Sequence, residues 1–201
     1  MTVEPDAFTP AQQQMALELL STRTTELLLV IDSWCETHPN CVEPLAVEEA
    51  DPDDSNELER SAGDSRPFFF LDETPMPPLG ADVWIFGDPP QVRANGRAFP
   101  RLKVVTSDAD AAHAARWLVR VLRRRARTYE ALVRAAFERR PQLATVEDPA
   151  TVEPVPIREL AEAAQLTEDA VSRIAAACRF QNVHGLMTFN EVSGSLQFRR
   201  E

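Results

Sequence analysis

Between Ser107 and Pro141 the chain carries one unbroken helical pattern, and a helix of that length constrains how every other element can pack. Ala111, Ala115, Leu118, Val119, Leu122, Tyr129, Leu132, Val133, Ala136 and Phe137 recur along one face. Arg116, Arg120, Arg123, Arg127 and Arg134 follow the other. Ser107 with Asp110 makes a capping-box-like start, and Pro141 stops the run just after Arg139. At ~1.5 Å per residue such a helix is on the order of 45 Å long. The apolar stripe predicts core, each large side chain contributing about 1.5–3 kcal/mol when buried. The arginine face either is solvated or meets phosphates or carboxylates, to which guanidinium groups make forked bonds.

The segment PIRELAEAAQLTEDAVSRIAAACRF, Pro156–Phe180, reads as a helix-turn-helix. Leu160, Ala161 and Ala164 lie inside a short first helix, and Leu166 closes the turn, with Gln165 where glycine is usual. Thr167 is a good N-cap, and Glu168 and Asp169 suit the positive end of the second helix. Ala170, Val171, Ile174 and Cys178 line its inner face, which leaves Ser172, Arg173 and Arg179 outward, where a recognition helix presents groups to a DNA groove. A plain helical hairpin with a solvated outer face gives the same pattern.

Upstream, Phe8 to Pro39 reads as one interrupted helix or two, capped by Thr9 with Pro10 at the first helical position. Met15, Leu19 and Leu20 form one stripe; Leu27, Leu28, Val30, Ile31 and Trp34 resume it after the polar break Ser21–Thr25. That face either docks on something larger or packs on the chain's own carboxyl-terminal half. Residues 43–67 are acidic and poor in large apolar side chains, which predicts a disordered linker. Phe68–Leu71 ends that polarity, and PMPPLG is too proline-rich for helix. Asp82–Phe86, Gln91–Ala94 and Leu102–Val105 look like short strands, with tight turns at Gly87-Asp88-Pro89-Pro90 and Asn95-Gly96. Gln142–Pro156 is a loop, LMTF after Gly185 is a short helix or strand, and Ser193–Glu201 is loosely held. The fold class is mainly α: helical with a small β element, a long helix and a helix-turn-helix, plus the acidic disordered linker.

A net charge of −11 over 201 residues speaks against nucleic acid only on average. Glu48, Glu49, Asp51, Asp53, Asp54, Glu57, Glu59 and Asp64 crowd one tract, whereas residues 97–140 hold most of the arginines. A chain so polarised can offer a basic face while its acids stay apart. MTVEPDAFTP lacks a basic leader, no apolar run reaches the ~18–20 residues of a membrane span, and the cysteines are odd in number. Reduced thiols and a cytoplasmic setting are expected. Cys35-Glu36-Thr37-His38-Pro39-Asn40-Cys41 has the look of a metal site but no second ligand pair nearby, so incidental thiols at a helix end are the expected reading and no metal is assigned. Neither GxGxxG nor GxxxxGK[ST] occurs, His38, His113 and His184 lie far apart in sequence, and no nucleophile, base and orienting acid group together. No enzyme and no cofactor are expected.

The order of these blocks resembles the bacterial sigma-54 family of RNA polymerase sigma factors. FTPAQQQMALELL looks like that family's activator-responsive start, a TPQLQQAI-type run, and the acidic tract resembles its variable acidic region. ADVWIF…NGRAFPRLKVV and AARWLVRVLRRRARTYEALVRAAFERRPQL are similar to its core-binding strand segment and long helix. PIRELAEAAQLTEDAVSRI…CRFQNVHGLMTF resembles the LREIAEELGxHESTVSR…TPRG segment, with Val171, Ser172, Arg173 and Gly185 matching directly. His184 stands where the family motif has Arg, and Cys178-Arg179-Phe180 stands near its Lys-Tyr pair. Pro67–Gly80 leaves no room for the family's first core-binding subdomain, and no ARRTVAKYR-type box follows, so reading of the upstream promoter element is expected to be missing.

The resemblance implies an activator-responsive-like region at 1–42, the linker at 43–67, a partial core-binding-like region at 68–150 and the helix-turn-helix with its tail at 151–201. It implies that Gln12, Gln13, Gln14, Leu19, Leu20, Leu27 and Leu28 meet the promoter fork and an ATP-hydrolysing activator. Arg116, Arg120, Arg123, Arg124 and Arg127 would face core RNA polymerase, and Ser172, Arg173, Arg179 and His184 promoter DNA. The implied function is transcription initiation. The alternatives are a derived regulator that competes for polymerase or activator and inhibits, or a simple helix-turn-helix repressor.

Overall fold

The structure, a computed structural model, describes residues 10–44, 80–96 and 98–193. The Thr9 cap, nearly all of the linker, Phe68–Leu71, PMPPL and the tail beyond Ser193 lie outside the described residues.

Helices α1 (Pro10–Ser21) and α2 (Thr24–Thr37) split at the polar break. The hydroxyls of Ser21 and Thr22 donate back to Leu17 O (2.8 Å) and Glu18 O (2.7 Å), an alternative to continuing the helix. Strand β1 (Val42–Pro44) follows and pairs antiparallel with β4 (Leu102–Val104), Val42 opposite Val104. Glu43 and Pro44, expected in the linker, are thus strand. β2 (Val83–Phe86) and β3 (Gln91–Ala94) form a hairpin, and β5 (Arg179–Asn182) and β6 (Gly185–Thr188) a second. The two hairpins join through a parallel β2–β5 pair, so the sheet runs β3-β2-β5-β6.

The long helix α3 (Ala109–Arg139) is the axis of the molecule. Its cap is Asp108, whose carboxylate accepts from Ala111 N–H at 2.8 Å, rather than Ser107. Beyond it, two 3-10 turns (Pro141–Ala144 and Pro149–Thr151) shape the expected loop. The Asn182 side-chain amide donates to Leu143 O and Val146 O and fixes that loop to the sheet. Then come α4 (Ile157–Ala164), α5 (Glu168–Ala177) and, after the second hairpin, the short α6 (Phe189–Val192).

The first half of α3 packs Ala115, Trp117, Leu118, Val121 and Leu122 against Leu19, Leu27, Ile31 and Trp34. Its second half packs Tyr129, Leu132, Val133 and Ala136 against the sheet's Val83, Ile85 and Val92 and the helix-turn-helix's Leu160, Val171 and Ile174. The mainly helical class with a small β element holds, although the β part is larger than the three strands expected. β6 takes the strand alternative offered for LMTF, whereas β1 and β5, each paired with a strand distant in sequence, were not expected. Ser193, expected in the loose tail, has no exposed surface, and its N–H donates to Phe189 O.

Candidate nucleic-acid interface

The helix-turn-helix is built by local rules. Gln165 takes the left-handed conformation (φ 54°, ψ 48°) that ends α4, and Leu166 N–H closes back on Ala161 O at 3.0 Å. Thr167 Oγ1 accepts from Ala170 N–H at 3.3 Å and starts α5. Val171, Ile174 and Ala175 are then internal, while Arg173 points outward. Ion pairs Arg139–Glu159 (2.5 Å) and Arg140–Glu153 (2.9 Å) tie the end of α3 to α4 and to the chain leading into it.

Arg173 Nε lies 3.1 Å from Asp169 Oδ2 one turn earlier, so its guanidinium is already engaged. Glu162 and Glu168 are exposed on the same two helices, and Arg158 spends its charge on Glu162 at 3.2 Å. The outer face of the two helices is therefore more acidic than the isolated Arg173 suggests. Ser172 is half-buried, and α1 packs against α5.

Arg179 requires a correction. α5 ends at Ala177 with Cys178 as its cap, so Arg179 opens β5 instead of extending the recognition helix. Its N–H donates to the buried Asp82 carboxylate at 2.8 Å. His184 sits in the turn after β5, its N–H on Asn182 Oδ1 and its ring Nδ1 3.9 Å from Glu147 Oε1. Ser172 and Arg173 thus share a helix, whereas Arg179 and His184 stand at opposite ends of a neighbouring strand.

On α3, Arg116, Arg120, Arg123, Arg124 and Arg127 are all exposed. Among the described residues, Arg116, Arg120, Arg124 and Arg127 enter no ion pair. Arg134, assigned to the same face, instead pairs with Glu130 and reaches Val92 O, while Glu130 accepts from Ala94 N–H at 3.0 Å. Together they cover the edge of β3.

The amino-terminal residues divide. Gln13, Gln14 and Leu28 are exposed and Gln12 is half-buried, but Leu19, Leu20 and Leu27 are buried. Of the two uses foreseen for that leucine face, these three side chains serve the chain's own core.

Sequence reasoning missed Arg125. It has no exposed surface, and it donates to Leu19 O (2.7 Å), Leu20 O (3.0 Å) and Thr24 Oγ1 (3.1 Å), closing the end of α1. Its guanidinium lies over the Tyr129 ring at 4.3 Å, and Tyr129 Oη also donates to Leu20 O. Thr24 passes the network to Asp82, whose carboxyl burial raises above the usual carboxylate range despite its hydrogen bonds. The one available signal was register: Arg125 falls between Leu122 and Tyr129 on the apolar stripe.

The thiol of Cys178 is also buried, and burial lifts its pKa well above the usual range. Among the described residues, no group of three or more His, Cys, Asp or Glu side chains is placed to hold a metal ion, and no helix is long and apolar enough to cross a membrane.

A left-handed turn, a capped second helix and an outward arginine make up the two-helix unit, carried on a long basic helix. Residues 106–196, from just before α3 to just past α6, match the family described as Sigma-54, DNA binding domain. This segment is similar to a sigma-54 DNA-binding domain, and the match supports a sigma-54 family protein. None of the curated proteins compared with the chain matches it.

Proposed function

We propose that the protein is a sigma-54-like initiation factor that binds core RNA polymerase through the arginine face of α3 and contacts promoter DNA through α5. The observation that carries this reading is the family match across α3 to α6 together with a correctly capped helix-turn-helix. Arg173 is the base-reading candidate, since an arginine pairs bidentately with guanine O6 and N7 for about 1–3 kcal/mol of discrimination. To do so it must exchange Asp169 for the base. Arg179 and His184 contribute from the adjoining sheet, and the exposed Gln13, Gln14 and Leu28 meet an ATP-hydrolysing activator.

The pairing of Arg173 with Asp169 and the exposed acids of the two helices favour a second reading, a derived regulator that occupies polymerase or activator and inhibits the full sigma factor. Pull-down with core polymerase, then transcription in vitro with and without an ATP-hydrolysing activator, separates the two. Activator-dependent initiation selects the factor, and inhibition of the resident sigma selects the regulator. Loss of both would leave a repressor that never meets polymerase. Arg173→Ala is expected to weaken specific promoter binding about tenfold while sparing non-specific binding; equal losses on both sequences would remove the base-reading role.

A further inference from the structure

The four-stranded sheet has one face in the core and one face turned outward. Val83, Ile85, Val92, Phe180 and Met187 are buried, so their neighbours on each strand point the other way. On β2 these are Trp84 and Phe86, half-buried and stacked on each other with ring centroids 3.9 Å apart and planes 18° from parallel. Arg93 and Gln91 stand opposite them on β3, and Gln181 lies beside Trp84 on β5 with Arg179 two residues earlier. In a chain of net charge −11, not one outward position of the four strands is an acid.

We propose that this face is a stacking platform for single-stranded nucleic acid. The Trp84–Phe86 column is preformed at the spacing of stacked bases, and an unpaired base continues it without any sequence requirement. Arg93 and Arg179 flank the rings, where backbone phosphates would run, and the amides of Gln91 and Gln181 are placed for base edges. Arginine on either side of the rings complements a polyanion, which decides between this occupant and an apolar protein segment. This platform is separate from α5 and stands whether or not α5 reads duplex DNA.

The test is fluorescence anisotropy of the whole chain with a labelled oligothymidine and with an abasic strand of equal length and charge. Tight binding of the oligothymidine and about tenfold weaker binding of the abasic strand are expected. Trp84→Leu with Phe86→Leu should cost about tenfold or more on the oligothymidine at unchanged circular dichroism, whereas Arg93→Gln should weaken both strands alike. If the double variant does not fold, photo-cross-linking of a bromouridine strand to the unaltered protein must map to β2. Arg173→Ala should leave single-strand binding intact. Equal affinity for the abasic strand, cross-links outside the sheet, or loss of binding in Arg173→Ala overturns the platform.

Discussion

A guanidinium with no exposed surface must be answered by the atoms around it, and at Arg125 the answer comes from another helix. Two carbonyls at the end of α1 accept from it and Thr24 accepts a third bond, while Tyr129 offers its ring. Its charge therefore serves to fasten α1 to α3. Removing it strands Leu19 O and unties Thr24, while Leu20 O keeps the Tyr129 hydroxyl, and a buried polar group left unpaired costs about 1–3 kcal/mol. Arg125→Ala is expected to lower stability by about 3 kcal/mol or more in urea denaturation, with a matching fall in midpoint and unchanged slope. An exposed neighbour, Arg124→Ala, should move it by less than about 0.5 kcal/mol. Thiol reactivity offers a second check. Cys178 and Cys41 are buried and Cys35 is only half-buried, so Cys35 is expected to react first with an alkylating reagent in the native protein. Its own pKa is raised, by burial first and then by Asp32, so the reaction should be slow at neutral pH and quicken in alkali. Mass mapping of early adducts to Cys178 would contradict the described core.

At the scale of elements, the turn between α4 and α5 combines one favourable choice with one costly choice. Thr167 caps α5, and Thr167→Ala should cost about 1 kcal/mol. Gln165 holds φ 54° without being glycine, so Gln165→Gly is expected to stabilise by several tenths of a kcal/mol, read as a rise in melting temperature. Destabilisation by that glycine would contradict the left-handed geometry. Elements whose reasons are local were legible in the sequence: α3, the Ser21–Thr25 break, the Thr167 cap and the β2–β3 hairpin. Elements whose reasons lie elsewhere in the chain were not. β1 exists because β4 pairs with it, and β5 because β2 lies parallel to it, and no short segment carries that information. Arg179 was misplaced because the helical pattern does not announce its end at Cys178, where no glycine or proline stands. Burial of Arg125 was signalled only by its register on the apolar stripe, and a run of arginines on a helix looks solvated until a second helix end is laid across it.

For the molecule as a whole, charge is distributed by face. Five exposed arginines of α3, from Arg116 to Arg127, lie on the first half of the helix and a little beyond, while the helix-turn-helix shows Glu162, Glu168 and Asp169. Replacing Arg116, Arg120, Arg124 and Arg127 together by Glu is expected to abolish capture of core polymerase while leaving the circular dichroism unchanged, since none of the four is buried. Retained capture would move the polymerase contact elsewhere. Non-specific DNA binding should also become less steep in its dependence on salt if these groups meet phosphates.

One feature of the packing reaches beyond stability. α1 packs against α5 and is pinned at its end to α3 by Arg125, so the leading helix, the long helix and α5 are held as one packed unit. Whatever tugs that leading helix outward must first break those buried bonds, baring the flank of α5 in the same stroke.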